Sequence, residues 1–259
     1  MSTTSMQVAS KEFIKRMRPL TGRRSEQEAF DAFLEITFTA SAYRAVPGQA
    51  GEDFLSRHRA EWGKWDNDQQ AVFLDLMQFT DTHVSGFQGD LLGVVAAEVG
   101  ALSAASGQFF TPWELCLLMA MMTLAGPKSR DVVERGWVGM QEPACGSGAI
   151  VLAKAKAERD AGLDIGTQFF AECTDISERA FKMCYIQLCC NGIPAIVKLG
   201  DALTNEPPRL EVPTPFMPRF LDNVRAFRRG AMGAGKPDPY AEFTARPVPQ
   251  VRKRVRVQK

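Results

Sequence analysis

The run Glu142-Pro143-Ala144-Cys145-Gly146-Ser147-Gly148 sets two glycines, one residue apart, between a short apolar stretch and a long helical one. Such a turn lets a ligand come close to backbone, because glycine lacks Cβ and tolerates positive φ. The helix after it offers free N–H groups and the positive end of its dipole. A dinucleotide loop would read GxGxxG, whereas here the run is GSGAIV, with Val151 in the place of the third glycine. Glu142 also opens the loop with a negative charge, which a phosphate site avoids. The residues therefore point to a ligand with a cationic group.

Two further acids extend the pattern. Asp175 follows the second apolar stretch and Asp201 the third. An acid in the first of these places can accept hydrogen bonds from both ribose hydroxyls. An acid in the second can accept from the amino group of adenine. Either one alone reads equally well as a surface acid in a loop. Together, at consecutive strand ends after a Gly-rich turn, they indicate a nucleoside ligand.

The elements that must hold these residues can be read from periodicity and breakers. Strands are expected at 137–141, 168–174 and 195–199, and helices at 149–160 and 177–191, closed by Gly162 and Gly192. Strand, Gly-rich turn, helix, strand, helix, strand is the order of a doubly wound parallel sheet. Before it, residues 25–106 read as helical. Phe30, Phe33, Leu34 and Thr37 fall at helical spacing, as do Val72, Phe73, Leu76 and Phe79, and a further helix is expected over 87–102. An apolar helix beginning WELCLLMAMM follows Pro112 and ends at Pro127. Past Leu203 the pattern stops. Five prolines between 207 and 218 argue against a central strand, and residues 217–227 could form one short helix. The chain divides as 1–105, helical; 106–205, the α/β core; and 206–259, a Pro- and Arg-rich basic tail. From residue 230 onward the composition is that of a disordered segment.

Composition narrows the class. Hydrophobic residues make up 45% of 259 residues, enough for a sizeable core. The six cysteines form no CxxC pair, and His58 and His83 stand alone, so no metal is expected and the thiols are expected to be reduced. Residues 1–20 have no apolar signal-peptide core, and no run is long enough to cross a membrane, so a cytoplasmic protein with no membrane association is expected. Residues 225–259 hold ten Lys or Arg against two acids in a chain of net charge +1. An acidic body with a basic tail suits a polyanionic partner.

GQFFTP (107–112), EPACGSG (142–148), Asp175 and Gly200-Asp201 occur in the order found in adenine-N6 DNA methyltransferases. The chain resembles that family over about residues 87–203, and in particular the modification subunits of type I restriction systems. The resemblance implies a Rossmann-like S-adenosylmethionine-dependent methyltransferase core with S-adenosylmethionine as cofactor. Its ammonium and sulfonium supply the cationic groups that the loop suggests. Phe109, Phe110, Thr111 and Pro112 match the motif that closes over the methionine end. Glu142, Ala144, Gly146 and Gly148 match the cofactor loop, Asp175 the ribose acid and Asp201 the adenine acid. DNA is the implied partner.

One family motif has no match. Asn or Asp, two prolines and an aromatic end the fourth strand and act on a flipped base. Here Asn205-Glu206-Pro207-Pro208-Arg209 has an extra residue and no aromatic, and Thr214-Pro215-Phe216 has the aromatic but no amide. The catalytic residues are therefore unknown, and the 58 residues after Asp201 do not hold the rest of the sheet. A truncated sheet follows. The edge of its first strand should be covered by the Pro-rich segment, the N-terminal helices, a second protein chain or a homodimer partner. Two functions stand: methyl transfer to adenine in DNA, or a catalytically deficient regulatory or decoy subunit of a restriction–modification complex. A third possibility is a nucleic-acid binder acting through the tail alone.

Overall fold

The computed structural model describes residues 3–22, 24–101, 111–204 and 206–231. Five helices come first: α1 (Thr3–Met17), α2 (Glu26–Ala45), α3 (Gln49–Trp62), α4 (Asn67–Val84) and α5 (Leu91–Glu98). Local sequence sets their starts. Ser25 with Glu28 and Asp66 with Gln69 form capping boxes at α2 and α4. The helix expected over 87–102 is shorter than that. Phe87 takes a positive φ of 62°, and the Asp90 carboxylate caps α5 by accepting from the Gly93 N–H.

Next come α6 (Trp113–Met122), α7 (Arg130–Arg135), β1 (Val138–Glu142), α8 (Ala149–Asp160), α9 (Ile165–Gln168), β2 (Phe169–Asp175), α10 (Glu178–Cys190), β3 (Ala195–Leu199), β4 (Leu210–Pro213) and α11 (Met217–Ala231). The sheet order is β1-β2-β3-β4. β1, β2 and β3 are parallel, with Val138 beside Phe169 and Ala171 beside Ala195. This is the expected Rossmann-like α/β core in truncated form, behind a helical N-terminal region.

The Pro-rich segment departs from expectation in two ways. It does contribute a strand, so the sheet is mixed rather than parallel: β4 runs antiparallel to β3, with Val212 beside Val197. A proline is tolerated on such an edge because its missing N–H takes nothing from a central ladder. The strand also lies on the far side of β3. It covers the edge opposite to the one left bare by β1, and among the described residues no strand pairs with the outer side of β1.

Side chains alternate between the two faces of the sheet. On the first face Ala171, Cys173, Ala195, Val197 and Leu199 are buried, and α10 packs over β2 and β3. The second face is split. Phe170 and Ile196, with Trp137, are covered by Met217, Phe220, Leu221 and Val224 of α11. Further up the same face the residues are polar: Glu172 accepts from Gln141 at 3.1 Å and pairs with Lys198 at 2.9 Å.

The N-terminal helices are fastened to this core. Phe38 of α2 sits edge-on to Phe181 and Tyr185 of α10 at 5.2 and 5.1 Å. Arg179 makes a bidentate pair with Asp31, both bonds 2.7 Å. One apolar cluster runs unbroken from Met6 to Val212. No described helix is long and apolar enough to cross a membrane.

Candidate functional site

The Gly-rich loop leaves the C-terminal end of β1, where parallel α/β sheets present their ligand crevice. Gly146 and Gly148 have φ of 55° and 98°. Gly148 is also pressed against α10: a Cβ there would lie 3.2 Å from Cys184 Sγ. Both positions thus require glycine, one for its backbone angle and the other for angle and space together.

The loop amides are spent on the protein itself. Ala144 N–H donates to Glu142 at 3.2 Å and Gly146 N–H to Asp175 Oδ2 at 2.9 Å. Cys145 N–H donates to the Thr174 carbonyl and Gly148 N–H to the Cys145 carbonyl. Two of the acceptors are carboxylates. A phosphate would meet negative charge here and few free donors, which is the reverse of a phosphate cradle.

Asp175 ends β2 and ties two turns together, since its other oxygen accepts from the Ser177 N–H at 2.8 Å. Asp201 follows β3, is exposed, and accepts from the Leu203 N–H at 2.9 Å. Gly200 N–H donates to the Asp175 carbonyl at 2.9 Å, which brings the two strand ends side by side. Thr111 and Pro112 are exposed at the N-terminal end of α6, where Pro112 is the capping residue. Phe109 and Phe110 lie outside the described residues.

Two residues at this end were missed from the sequence. Ile176 and Leu203 are apolar yet 61% and 96% exposed, each just past one of the acids. The available signal was an apolar residue within two positions of each strand-end acid, Ile176 after Asp175 and Leu203 two past Asp201. Two bare apolar side chains beside hydrogen-bond acceptors suit a flat heteroaromatic ring.

Behind the loop lies a buried polar network. Asp90, at the start of α5, accepts from Ser147 Oγ at 2.5 Å, Gln187 Nε2 at 2.7 Å and the Gly93 N–H at 2.9 Å. Gln187 also donates to the Ser147 carbonyl at 2.9 Å. Burial pushes the Asp90 carboxyl above the usual carboxylate range, against the opposing pull of these hydrogen bonds. Cys145, Cys173 and Cys184 are buried together under the loop. Hydrogen bonding within this trio, together with burial, holds Cys184 well above the usual thiol range. Among the described residues no His, Cys, Asp or Glu group could hold a metal.

The two fragments that partly resembled a catalytic motif lie at different ends of the sheet. Asn205 is outside the described residues, while Pro208, three residues on, packs over Gly200, where a Cβ would lie 3.0 Å from Pro208 Cα. Thr214-Pro215-Phe216 follows the antiparallel β4 and so returns to the start of β3. There Thr214 Oγ1 accepts from the Ala195 N–H at 3.0 Å and donates to the Ile193 carbonyl at 2.7 Å. That is the end of the sheet away from the Gly-rich loop.

Residues 91–217 match the family model of N-6 DNA methylases, from the first residue of α5 to the first of α11. A crystal structure of the type I restriction-modification system methyltransferase subunit from Streptococcus thermophilus is similar at a TM-score of 0.38 and 12% identity, over 80% of this chain and 60% of that one. The chain therefore spans about 60% of that subunit's length. No curated protein matches the chain. With the Gly-rich loop, both strand-end acids and all four strands inside the match, residues 91–217 belong to the N-6 DNA methylase family.

Proposed function

We propose that this chain binds S-adenosylmethionine at the C-terminal end of β1 to β3 and serves methylation of adenine N6 in DNA. One observation carries the reading: the loop amides are consumed by carboxylates and carbonyls, while acids and bare apolar side chains alternate along the strand ends. Glu142 answers the ammonium and sulfonium charge. Asp175 keeps lone pairs for the ribose hydroxyls. Asp201 accepts from the adenine amine, with Ile176 and Leu203 against the ring. Gly146 and Gly148 let the ligand reach the backbone next to Ala144, and the segment from Phe109 and Phe110 to Thr111 and Pro112 covers the methionine end. When bound, the cofactor supplies the methyl group; the residues of this chain bind and orient it. The cytoplasm, where cofactor and DNA meet, is the place this function requires.

A second reading is a cofactor-binding regulatory or decoy subunit without turnover of its own. It is favoured by the position of Thr214-Pro215-Phe216 at the opposite end of the sheet. Calorimetric titration with S-adenosylmethionine tests the shared core of both readings. The parent should bind. Asp201→Ala, an exposed change, should weaken binding about tenfold, or ~1.4 kcal/mol, with no loss of thermal stability. A parent that does not bind would overturn both readings. Transfer of tritiated methyl to unmethylated DNA then separates them: transfer supports the enzyme, and binding without transfer supports the regulatory subunit.

A further inference from the structure

On the first face of the sheet, α10 lies over β2 and β3, and α8 touches α10 on one side and α6 on the other. The helices thus run α6-α8-α10 in the same order as β1-β2-β3, which puts α6 outermost in this layer, at its β1 end. Small residues join α6 to α8: Cys116 and Ala120 pack on Ala149 and Ala153. The rest of α6 faces outward and is apolar. Leu115, Leu118, Met119 and Met122 repeat at one-face helical spacing, flanked by Met121 and Leu124, and Met122 is 78% exposed. The backbone of β1, at the same end of the sheet order, is paired on one side only, among the described residues.

We propose that this surface is the interface of a symmetric homodimer, in which β1 pairs antiparallel with β1 of a second copy and α6 packs on its counterpart. Three features favour a second copy over another occupant. The first is size: the six apolar side chains expose on the order of 600 Å², the upper end for a monomer's largest patch, and with the strand edge this nears the ~800 Å² each partner gives to a standard interface. The second is self-complementarity. A two-fold interface sets the same patch against itself, and Glu114 is the only charge on α6, so the faces meet without like-charge repulsion. The third is the strand. An edge of a parallel sheet meets its own copy in the antiparallel sense, the more stable pairing. Val138-Gly139-Met140-Gln141-Glu142 also carries no lysine or proline to block that pairing. The proposal is independent of cofactor binding.

Sedimentation of the full chain, from below 1 µM to about 100 µM, should give a species of twice the 28.6 kDa chain mass. Hydrogen exchange on that species should slow the amides of 138–142 and of α6 together. Leu118→Glu with Met122→Glu changes only exposed side chains. It should give a monomer with unchanged circular dichroism and fast exchange in both segments. A parent that stays monomeric overturns the proposal, and slow α6 exchange in that monomer would show the chain's own residues covering the face. A double variant that still dimerises overturns it as well.

Discussion

Asp90 shows how much of the Gly-rich loop depends on a buried residue outside it. Its carboxyl is buried between the start of α5, the Gly-rich loop and α10, and it holds Ser147 between the two glycines with positive φ. The sequence placed Asp90 inside a helix over 87–102 rather than at its cap, and its burial against Gln187 was not legible, because 97 residues separate them. Burial raises the carboxyl's proton affinity in the fold, more than its hydrogen bonds lower it. Stability from this group is full below the unfolded value of about 3.9 and falls as pH rises from there through the raised folded value. Asparagine keeps Oδ1 for Gly93 and Gln187 and offers Nδ2 to Ser147 Oγ. Asp90→Asn should therefore be at least as stable as the parent at pH 8 and lose that part of the pH slope. Asp90→Ala removes the acceptor of three hydrogen bonds, those from Gly93, Ser147 and Gln187, and should cost about 1–3 kcal/mol. Urea unfolding at pH 5 and 8 measures both, and a parent-like slope in the asparagine variant would assign the titration to another group.

At the scale of elements, the strongest local signals were the most readable. The three parallel strands, α8 and α10 lie within a residue or two of their expected limits, since each is bounded by a breaker or cap: Gly148, Gly162, Ser177 and Gly192. β4 was not readable: the prolines argued only against a central strand, and this edge strand has its place only through the neighbouring β3. The helix α11 was foreseen as short, but its role was not. Phe220 is fully buried, stacked on Phe170 at 5.6 Å and edge-on to Trp137 at 5.5 Å. It closes the apolar half of the second face. Phe220→Ala should cost about 3–5 kcal/mol, the range for a large aromatic lost from a core. The loss should be local at first: exchange should quicken in α9 and α11, which pack together, before it does in α2 and α10. Uniform acceleration across all helices would mean that α11 and the N-terminal helices unfold as one unit.

The molecule as a whole separates its charges as it separates its faces. The upper half of the second face is a polar row, Gln141, Glu172 and Lys198, over strands that would be apolar there if another layer lay on them. The acidic body and the ten basic residues of 225–259 give the chain one anionic and one cationic end. Composition made that asymmetry legible, whereas a sheet truncated beyond β1 was expected only through resemblance, with its edge expected to be covered, and the bare helix α6 was not anticipated at all; among the described residues no strand pairs there. If the proposed DNA function holds, the phosphate backbone should be met by the basic end, since the strand-end acids repel it. Arg246, Arg252, Lys253, Arg254, Arg256 and Lys259 could neutralise up to six phosphates. The affinity for a mixed-sequence duplex should then fall with salt at a log–log slope of about −5. Replacing Arg252, Lys253, Arg254 and Arg256 by glutamine should flatten that slope to about −2 while leaving S-adenosylmethionine binding intact. A slope that survives the four substitutions would move the phosphate contacts to the arginines of α11, of which Arg225 and Arg229 are exposed beside the closed half of the sheet.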